Sequence, residues 1–274
     1  MDYTLNIHGR LFHLDTPQVM GILNVTPDSF YAGSRVMSAD DIVRRAGTML
    51  SDGASIIDIG ACSTRPGSTP VSAEEETERL RIALKALSTA LPDAILSVDT
   101  FRPDVARMAV EEYGVSIIND VAEGPPEMLR MVSRLRVPYI LMSARPTLRD
   151  TLLFFAERVQ QLRDMGQKDI ILDPGFGFGK TLEQNYELMN HLEKLQVMEL
   201  PLLVGVSRKS MIYRLLDCQP DEAMNGTTVL NTIALMKGAS ILRVHDVREA
   251  VECVRIHAAM ISQHTEQQCL TNSK

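Results

Sequence analysis

Short apolar runs alternate with longer amphipathic segments along almost the whole chain. The apolar runs are QVMGILN (18–24), ASIIDIG (54–60), AILSVDT (94–100), VSIIND (115–120), PYILMS (138–143), DIILDPG (169–175), LLVGVS (202–207) and ASILRVHD (239–246), eight in all. Each is brief and rich in Ile, Val and Leu, the pattern of a strand covered on both faces. The segments between them place apolar residues at helical spacing, as in SAEEETERLRIALKAL over 72–87 and RPDVARMAVEEYG over 102–114. Ser72 followed by acids reads as a capped helix start, and Gly114 as a helix stop. Such alternation predicts a parallel sheet flanked by helices. Eight units predict an α/β fold closed into a (β/α)8 TIM barrel, with a doubly wound open sheet as the alternative. Ahead of the first unit, residues 3–14 alternate loosely around Gly9 and predict an N-terminal β-hairpin capping the bottom of the barrel. No linker or repeat divides the chain, so residues 1–274 are expected to form one domain, with the polar, aperiodic stretch 263–274 as a loose tail.

Composition narrows the function. With 45% hydrophobic residues, 274 positions suffice for a single barrel core. No apolar run reaches the roughly 18 residues of a membrane span. Asp2, His8, Arg10 and Asp15 interrupt the start of the chain, which argues against a signal peptide. The four cysteines, Cys62, Cys218, Cys253 and Cys269, form no CxxC pair, a usage that fits a reducing cytoplasm without zinc or disulfides. A net charge of −7 argues against nucleic acid as a partner and leaves room for a small anionic substrate held by a local cluster of cations.

In a barrel of this kind the carboxyl ends of the strands build the active site. The eight runs carry or end in Asn24, Asp58, Asp99, Asn119, Met142, Asp173, Lys209 with Ser210, and Arg243 with His245. Any one of these is explained by a turn or helix cap. A full rim of them demands partners or a ligand, because unpaired polar groups in a pocket cost free energy. Asp99, Asn119 and Asp173 supply acceptors and Lys209 a donor. The set matches the edge of a flat, nitrogen-rich heterocycle, or alternatively a structural network in the barrel throat. Arg65, Arg243 and His245, on the second and eighth loops, are cations suited to a phosphate or pyrophosphate, or to surface ion pairs. Asn24 suits a magnesium ligand beside a pyrophosphate, or a turn cap. The stretch DPGFGFGKT (173–181) ends like a P-loop, but only three residues separate Gly175 from Gly179. Its glycines read instead as a tight turn close to a ligand, with Phe178 as an apolar wall.

Seven segments, MGILNVTPDSF, STRPGS, SVDTFRPDVA, IINDVAEG, ILDPGFGFGKT, VGVSRKSMI and RVHDVREA, together resemble the dihydropteroate synthases in content and order, from Met20 to Ala250. The resemblance implies a transferase of folate biosynthesis. It would join 6-hydroxymethyl-7,8-dihydropterin diphosphate to p-aminobenzoate, giving 7,8-dihydropteroate and pyrophosphate. It further implies Mg2+ as cofactor, sulfonamides as competitors and a cytoplasmic homodimer. In that family pattern Asp99, Asn119, Asp173 and Lys209 hold the pterin, with Met142 on its face. Asn24 binds magnesium and the diphosphate, which Arg65, Arg243 and His245 contact. Thr64, Arg65, Pro66, Phe178, Lys209 and Ser210 shape the aminobenzoate pocket. Catalysis would rest on Asp99, Asp173, Lys209, Arg243 and His245, by stabilising the departing pyrophosphate and the delocalised cation it leaves. A pterin-binding methyltransferase barrel and a non-catalytic pterin-binding barrel are the alternatives.

The sequence departs from that pattern in three loops. LMSARPT after the fifth strand lacks the usual His and Gly and is short. Cys62 stands where a Glu is common, and Tyr31-Ala32 replaces Ser-Asp in the first loop. These changes place in question the loop contacts above the pterin, the anchoring of the second loop, and closure of the first.

Overall fold

The computed structural model describes residues 3–26, 38–62 and 71–271. Strands β1 (Thr4–Ile7) and β2 (Arg10–His13) form the antiparallel hairpin. The barrel follows, as β3 (Gln18–Asn24), α1 (Ala39–Ser51), β4 (Ile56–Gly60), α2 (Ala73–Ala90), β5 (Ile95–Asp99), α3 (Pro103–Tyr113), β6 (Ile117–Asp120) and α4 (Pro126–Leu135). Its second half is β7 (Tyr139–Met142), α5 (Leu148–Asp164), β8 (Ile170–Asp173), α6 (Leu182–Asn190), β9 (Leu203–Val204), α7 (Ser210–Tyr213), α8 (Met224–Met236), β10 (Ile241–Val244) and α9 (Val247–Thr271). The sheet runs β8-β7-β6-β5-β4-β3-β10-β9, with parallel pairing throughout. A bridge from Leu172 to Leu202 joins the two end strands and closes the barrel.

The helix ends follow their local chemistry. Ser72 accepts from Glu75 N at the start of α2, Thr181 and Gln184 form a reciprocal capping box on α6, and Gly114 ends α3 in the left-handed conformation. Three boundaries differ from the sequence reading. The helical spacing of TLEQNYELMNHLEKLQ (181–196) predicts one helix, but α6 stops at Asn190 and the chain resumes as a 3-10 segment, Leu192–Met198. A short helix, α7, intervenes before α8. The last helix runs on through Thr271 rather than ending in a loose tail, because residues 263–271 contain no Gly or Pro to break it. Among the described residues no helix is long and apolar enough to cross a membrane.

Alternation along the strands sorts side chains into two cores. Leu23, Ile57, Val98, Leu141, Leu172 and Leu242 face the helices. Met20, Ile56, Ile117, Ile140, Ile171, Leu203 and Ile241 face inward, and Leu5, Ile7 and Leu14 of the hairpin segment pack into the same cluster. The hairpin therefore plugs the barrel's lower mouth. It is tied there by His8 Nε2 to Ser116 Oγ at 2.9 Å and by Asn6 N donating to Asp169 Oδ1 at 3.3 Å. Two residues further along six of the strands the inward position changes character. Asp58, Ser97, Asn119, Met142, Asp173 and Arg243 stand on this apolar floor, and the first five are nearly or fully buried.

Candidate active site

The polar layer is organised around Asp58. Its Oδ1 accepts from Ser97 Oγ at 2.6 Å, and its Oδ2 accepts from Asn119 Nδ2 at 3.0 Å and Arg243 Nε at 2.7 Å. Arg243 NH2 also donates to Asp99 Oδ2 at 2.8 Å. Arg243 thus lies within strand β10 and reaches into the throat, whereas the sequence placed it on the eighth loop. It lies beside Gly205, where an added Cβ would be in ordinary contact, 3.7 Å from Arg243 Cβ. Asn119 and Asp120 divide by alternation. Asn119 turns inward, while Asp120 accepts from the Tyr139 hydroxyl, a member of the outer core, at 2.7 Å.

Burial sets the electrostatics. Loss of solvent pushes Asp99 up to about 7, against the lowering effect of Arg243. It also raises Asp173, with Lys209 pulling the other way. The same effect brings Lys209 down to about 8, despite attraction from Asp173. Desolvation opposes the charge of Arg243, yet Asp58 and Asp99 outweigh it and hold the guanidinium above its ordinary range.

The turn after β8 forms one wall. Asp173 Oδ1 accepts from Gly175 N at 2.8 Å. Gly175 has φ +68, and a Cβ there would lie 2.1 Å from Ser143 O and 2.6 Å from the sulfur of Met142. The backbone of the turn therefore presses against the short loop that follows β7. Lys180 fastens the two, donating to Ser143 O at 3.0 Å, Gly175 O at 3.1 Å and Phe178 O at 3.3 Å. Glu123 holds the other side of that loop, accepting from Ala144 N at 3.0 Å and pairing with Arg145 at 3.2 Å. Lys209 Nζ donates to Phe176 O and lies 4.6 Å from the centroid of the half-buried Phe178 ring. Lys209 immediately precedes Ser210, the first residue of α7.

The rim carries Asn24, whose Oδ1 would stand 3.3 Å from a Cβ on Gly60, and that Cβ would lie 3.8 Å from Asp99 Cβ. His245 Nδ1 meets Ser207 Oγ at 3.0 Å. Arg208 reaches Asp246 through Nε at 2.9 Å and NH2 at 2.6 Å, locking the seventh and eighth loops together. Arg102 joins the described flanks of the second loop, donating to Glu76, to Val71 O at 2.7 Å and to Cys62 Sγ at 3.7 Å. Glu76 thus supplies a carboxylate anchor near Cys62. Thr64, Arg65 and Pro66, and the Tyr31-Ala32 departure, lie outside the described residues.

The structure therefore gathers Asp99, Asn119, Met142, Asp173, Lys209 and Arg243 in one throat, with Asn24, Phe178, Ser210 and His245 on surrounding elements. Sequence reasoning underweighted Asp58, Ser97, Lys180 and the Arg208–Asp246 pair. A signal existed for Asp58: it is an acid inside an apolar run, in phase with the inward positions.

A closed barrel whose inward face turns from aliphatic to acceptor-rich at one mouth defines an enzyme that holds a flat, donor-bearing ring, and residues 20–245 match the family described as Pterin binding enzyme. Among similar sequences, the dihydropteroate synthase of Escherichia coli is 40% identical over 270 residues, covering 93% of this chain and 95% of that protein. Among solved structures, the Yersinia pestis dihydropteroate synthase with a sulfonamide drug complex is 40% identical, with a TM-score of 0.87 and coverage of 95% of this chain and 100% of that one. The Xanthomonas albilineans dihydropteroate synthase with 4-aminobenzoic acid is 37% identical, with a TM-score of 0.88 and coverage of 95% and 98%. The chain belongs to the dihydropteroate synthase family.

Proposed function

We propose that the buried polar layer holds the pterin ring and that the rim above it holds the diphosphate and the p-aminobenzoate. The chain is a transferase of folate synthesis that condenses 6-hydroxymethyl-7,8-dihydropterin diphosphate with p-aminobenzoate to 7,8-dihydropteroate and pyrophosphate. In the reaction the bond between the methylene carbon and the diphosphate oxygen breaks. The arylamine nitrogen forms the new C–N bond and releases a proton. The amine is nucleophilic when neutral, so the protein's part is orientation and charge stabilisation rather than strong base catalysis.

The observation that carries the site assignment is one layer combining Asp99, Asn119, Asp173, Lys209 and Met142 over an apolar floor. Carboxylates and the amide oxygen face the ring's N–H groups, Lys209 faces its carbonyl, and the Met142 sulfur packs on its face. Asp99 and Asp173 stabilise the cation formed as the leaving group departs, and Arg243 and His245 stabilise the diphosphate. Phe178, Lys209 and Ser210, with Thr64, Arg65 and Pro66 of the second loop, bound the aminobenzoate. Sulfonamides compete there.

Magnesium fits one mode of binding. Among the described residues no group of three or more His, Cys, Asp or Glu side chains is placed to hold a metal. Magnesium takes few protein ligands when phosphate and water supply the rest, so the Asn24 amide oxygen suits an ion that enters with the diphosphate. When bound, the ion neutralises charge on the leaving group. A homodimer in the cytoplasm completes the reading. The neighbouring helices α8 and α9 expose Met224, Val229, Met236, Ile256, Met260 and Ile261, apolar surface suited to a second copy.

The test is release of pyrophosphate from the pterin diphosphate that requires both p-aminobenzoate and magnesium and is inhibited competitively by a sulfonamide. Well-folded protein that binds the pterin without releasing pyrophosphate would instead be a non-catalytic pterin-binding barrel.

A further inference from the structure

Asp58 has no exposed surface and lies in the middle of β4, below the rim. Three donors converge on it. Ser97, also fully buried, fixes Oδ1 from behind, and Asn119 and Arg243 share Oδ2. A carboxylate facing three donors acts as acceptor at both oxygens, so Asn119 can meet it only through its NH2 group. The other end of the amide is thereby determined. Asn119 Oδ1 points away from Asp58 and is buried without a hydrogen-bond partner. A bare buried acceptor is costly, and here it stands in the layer assigned to the pterin. Arg243 is constrained in the same way. Its Nε and NH2 are taken up by Asp58 and Asp99, which leaves NH1 without a hydrogen bond to any described residue.

We propose that Asp58 is a positioning residue that sets the hydrogen-bonding sense of the throat. It turns the Asn119 oxygen toward an N–H donor on the pterin edge and turns the outer side of the Arg243 guanidinium toward the leaving diphosphate. The inference rests on reading this layer as the pterin site. Asp58 does not touch the substrate. It decides which atom of each neighbour does.

Asp58→Asn keeps the shape but removes the charge: its NH2 group can turn to Ser97 Oγ, which leaves one neutral amide oxygen to hold both Asn119 Nδ2 and Arg243 Nε, a weaker hold on each. The affinity for 6-hydroxymethylpterin, a ring without the diphosphate, should weaken by about tenfold in calorimetry, while KM for p-aminobenzoate changes by no more than about twofold. Ser97→Ala, which frees the carboxylate from behind without approaching the ligand, should weaken the ring by about threefold with the same split. This variant carries the test if Asp58→Asn does not fold. Asn119→Ala is the reference. If it weakens ring binding while Asp58→Asn and Ser97→Ala bind as wild type, Asp58 has no positioning role and the pterin site stands. Equal loss for both substrates, tracking a lowered melting temperature, would reduce Asp58 to a structural carboxylate. If Asn119→Ala binds the ring unchanged, the pterin assignment itself falls and takes the inference with it.

Discussion

Asp99 and Lys209 line the same throat with their titrations brought close together, one raised to about 7 and the other lowered to about 8. Both shifts arise chiefly from burial, and both charged forms serve the chemistry. The ratio kcat/KM for the pterin diphosphate reports the free enzyme. It should fall below pH 7 as Asp99 takes up a proton and above pH 8 as Lys209 loses one, giving a narrow bell in a pH–rate profile. The linkage to stability has a definite sign. Asp99 favours its protonated form in the folded state, so its contribution is full below the ordinary carboxylate value of 3.8 and is lost as pH rises through about 7. Lys209 behaves oppositely, its contribution being present above 10.5 and lost as pH falls through about 8. Asp99→Asn should therefore melt no lower than wild type at pH 8 while turnover collapses, and Lys209→Ala should likewise lose turnover and keep the fold. Normal turnover in both variants would remove these two residues from the catalytic set.

The turn between β8 and α6 shows how an element can be misread from its letters. Its Gly-Lys-Thr ending looks like phosphate-binding chemistry, yet Lys180 spends its donors on three backbone carbonyls, and Thr181 caps α6. Lys180 is drawn down to about 8 by burial, with Asp173 opposing the shift. Lys180→Met should free the loop after β7 from the glycine turn. The expected result is a melting temperature lower by several degrees, in keeping with about 1–2 kcal/mol for lost charge-assisted hydrogen bonds, and a raised KM for the pterin diphosphate. Gly175→Ala demands both a left-handed alanine and backbone movement at Ser143, so it should destabilise by more than about 1 kcal/mol in a denaturant melt. The shortened loop after β7 is thus a tightly held element, bound by Lys180 on one side and Glu123 on the other.

Across the whole molecule the two ends of the barrel have separate duties. The hairpin and the Ile-rich floor close one end, and the polar layer opens at the other. A change in the plug should therefore affect stability without affecting chemistry. Leu5→Ala, at a fully buried side chain, should cost about 2–5 kcal/mol in urea unfolding and leave KM and kcat near wild type at a temperature where the protein stays folded. The exposed apolar residues of α8 and α9 belong to the same scale. A substitution such as Val229→Glu should shift a homodimer toward monomer in sedimentation, whereas an unchanged sedimentation coefficient would place any dimer contact elsewhere.

Strand and helix periods are local properties, so the eight βα units, the hairpin and the inward phase of Asp99, Asn119 and Asp173 were legible in the order of the residues. Seven motifs in sequence order were enough to place the family. Boundaries governed by short turns, such as α7 and the break at Asn190, were not, because tertiary packing sets them. What only the closed barrel decided is partnership. Arg243 and Asp58 lie 185 positions apart in the chain and meet only because β10 and β4 both border β3. Burial is likewise a property of the assembled throat, and it is burial that moves Asp99 and Lys209 toward each other in titration. The sequence by itself determined which chemical groups arrive at the mouth. The tertiary structure decided which atom of each faces the ligand, because hydrogen bonds and desolvation depend on neighbours that local order does not specify.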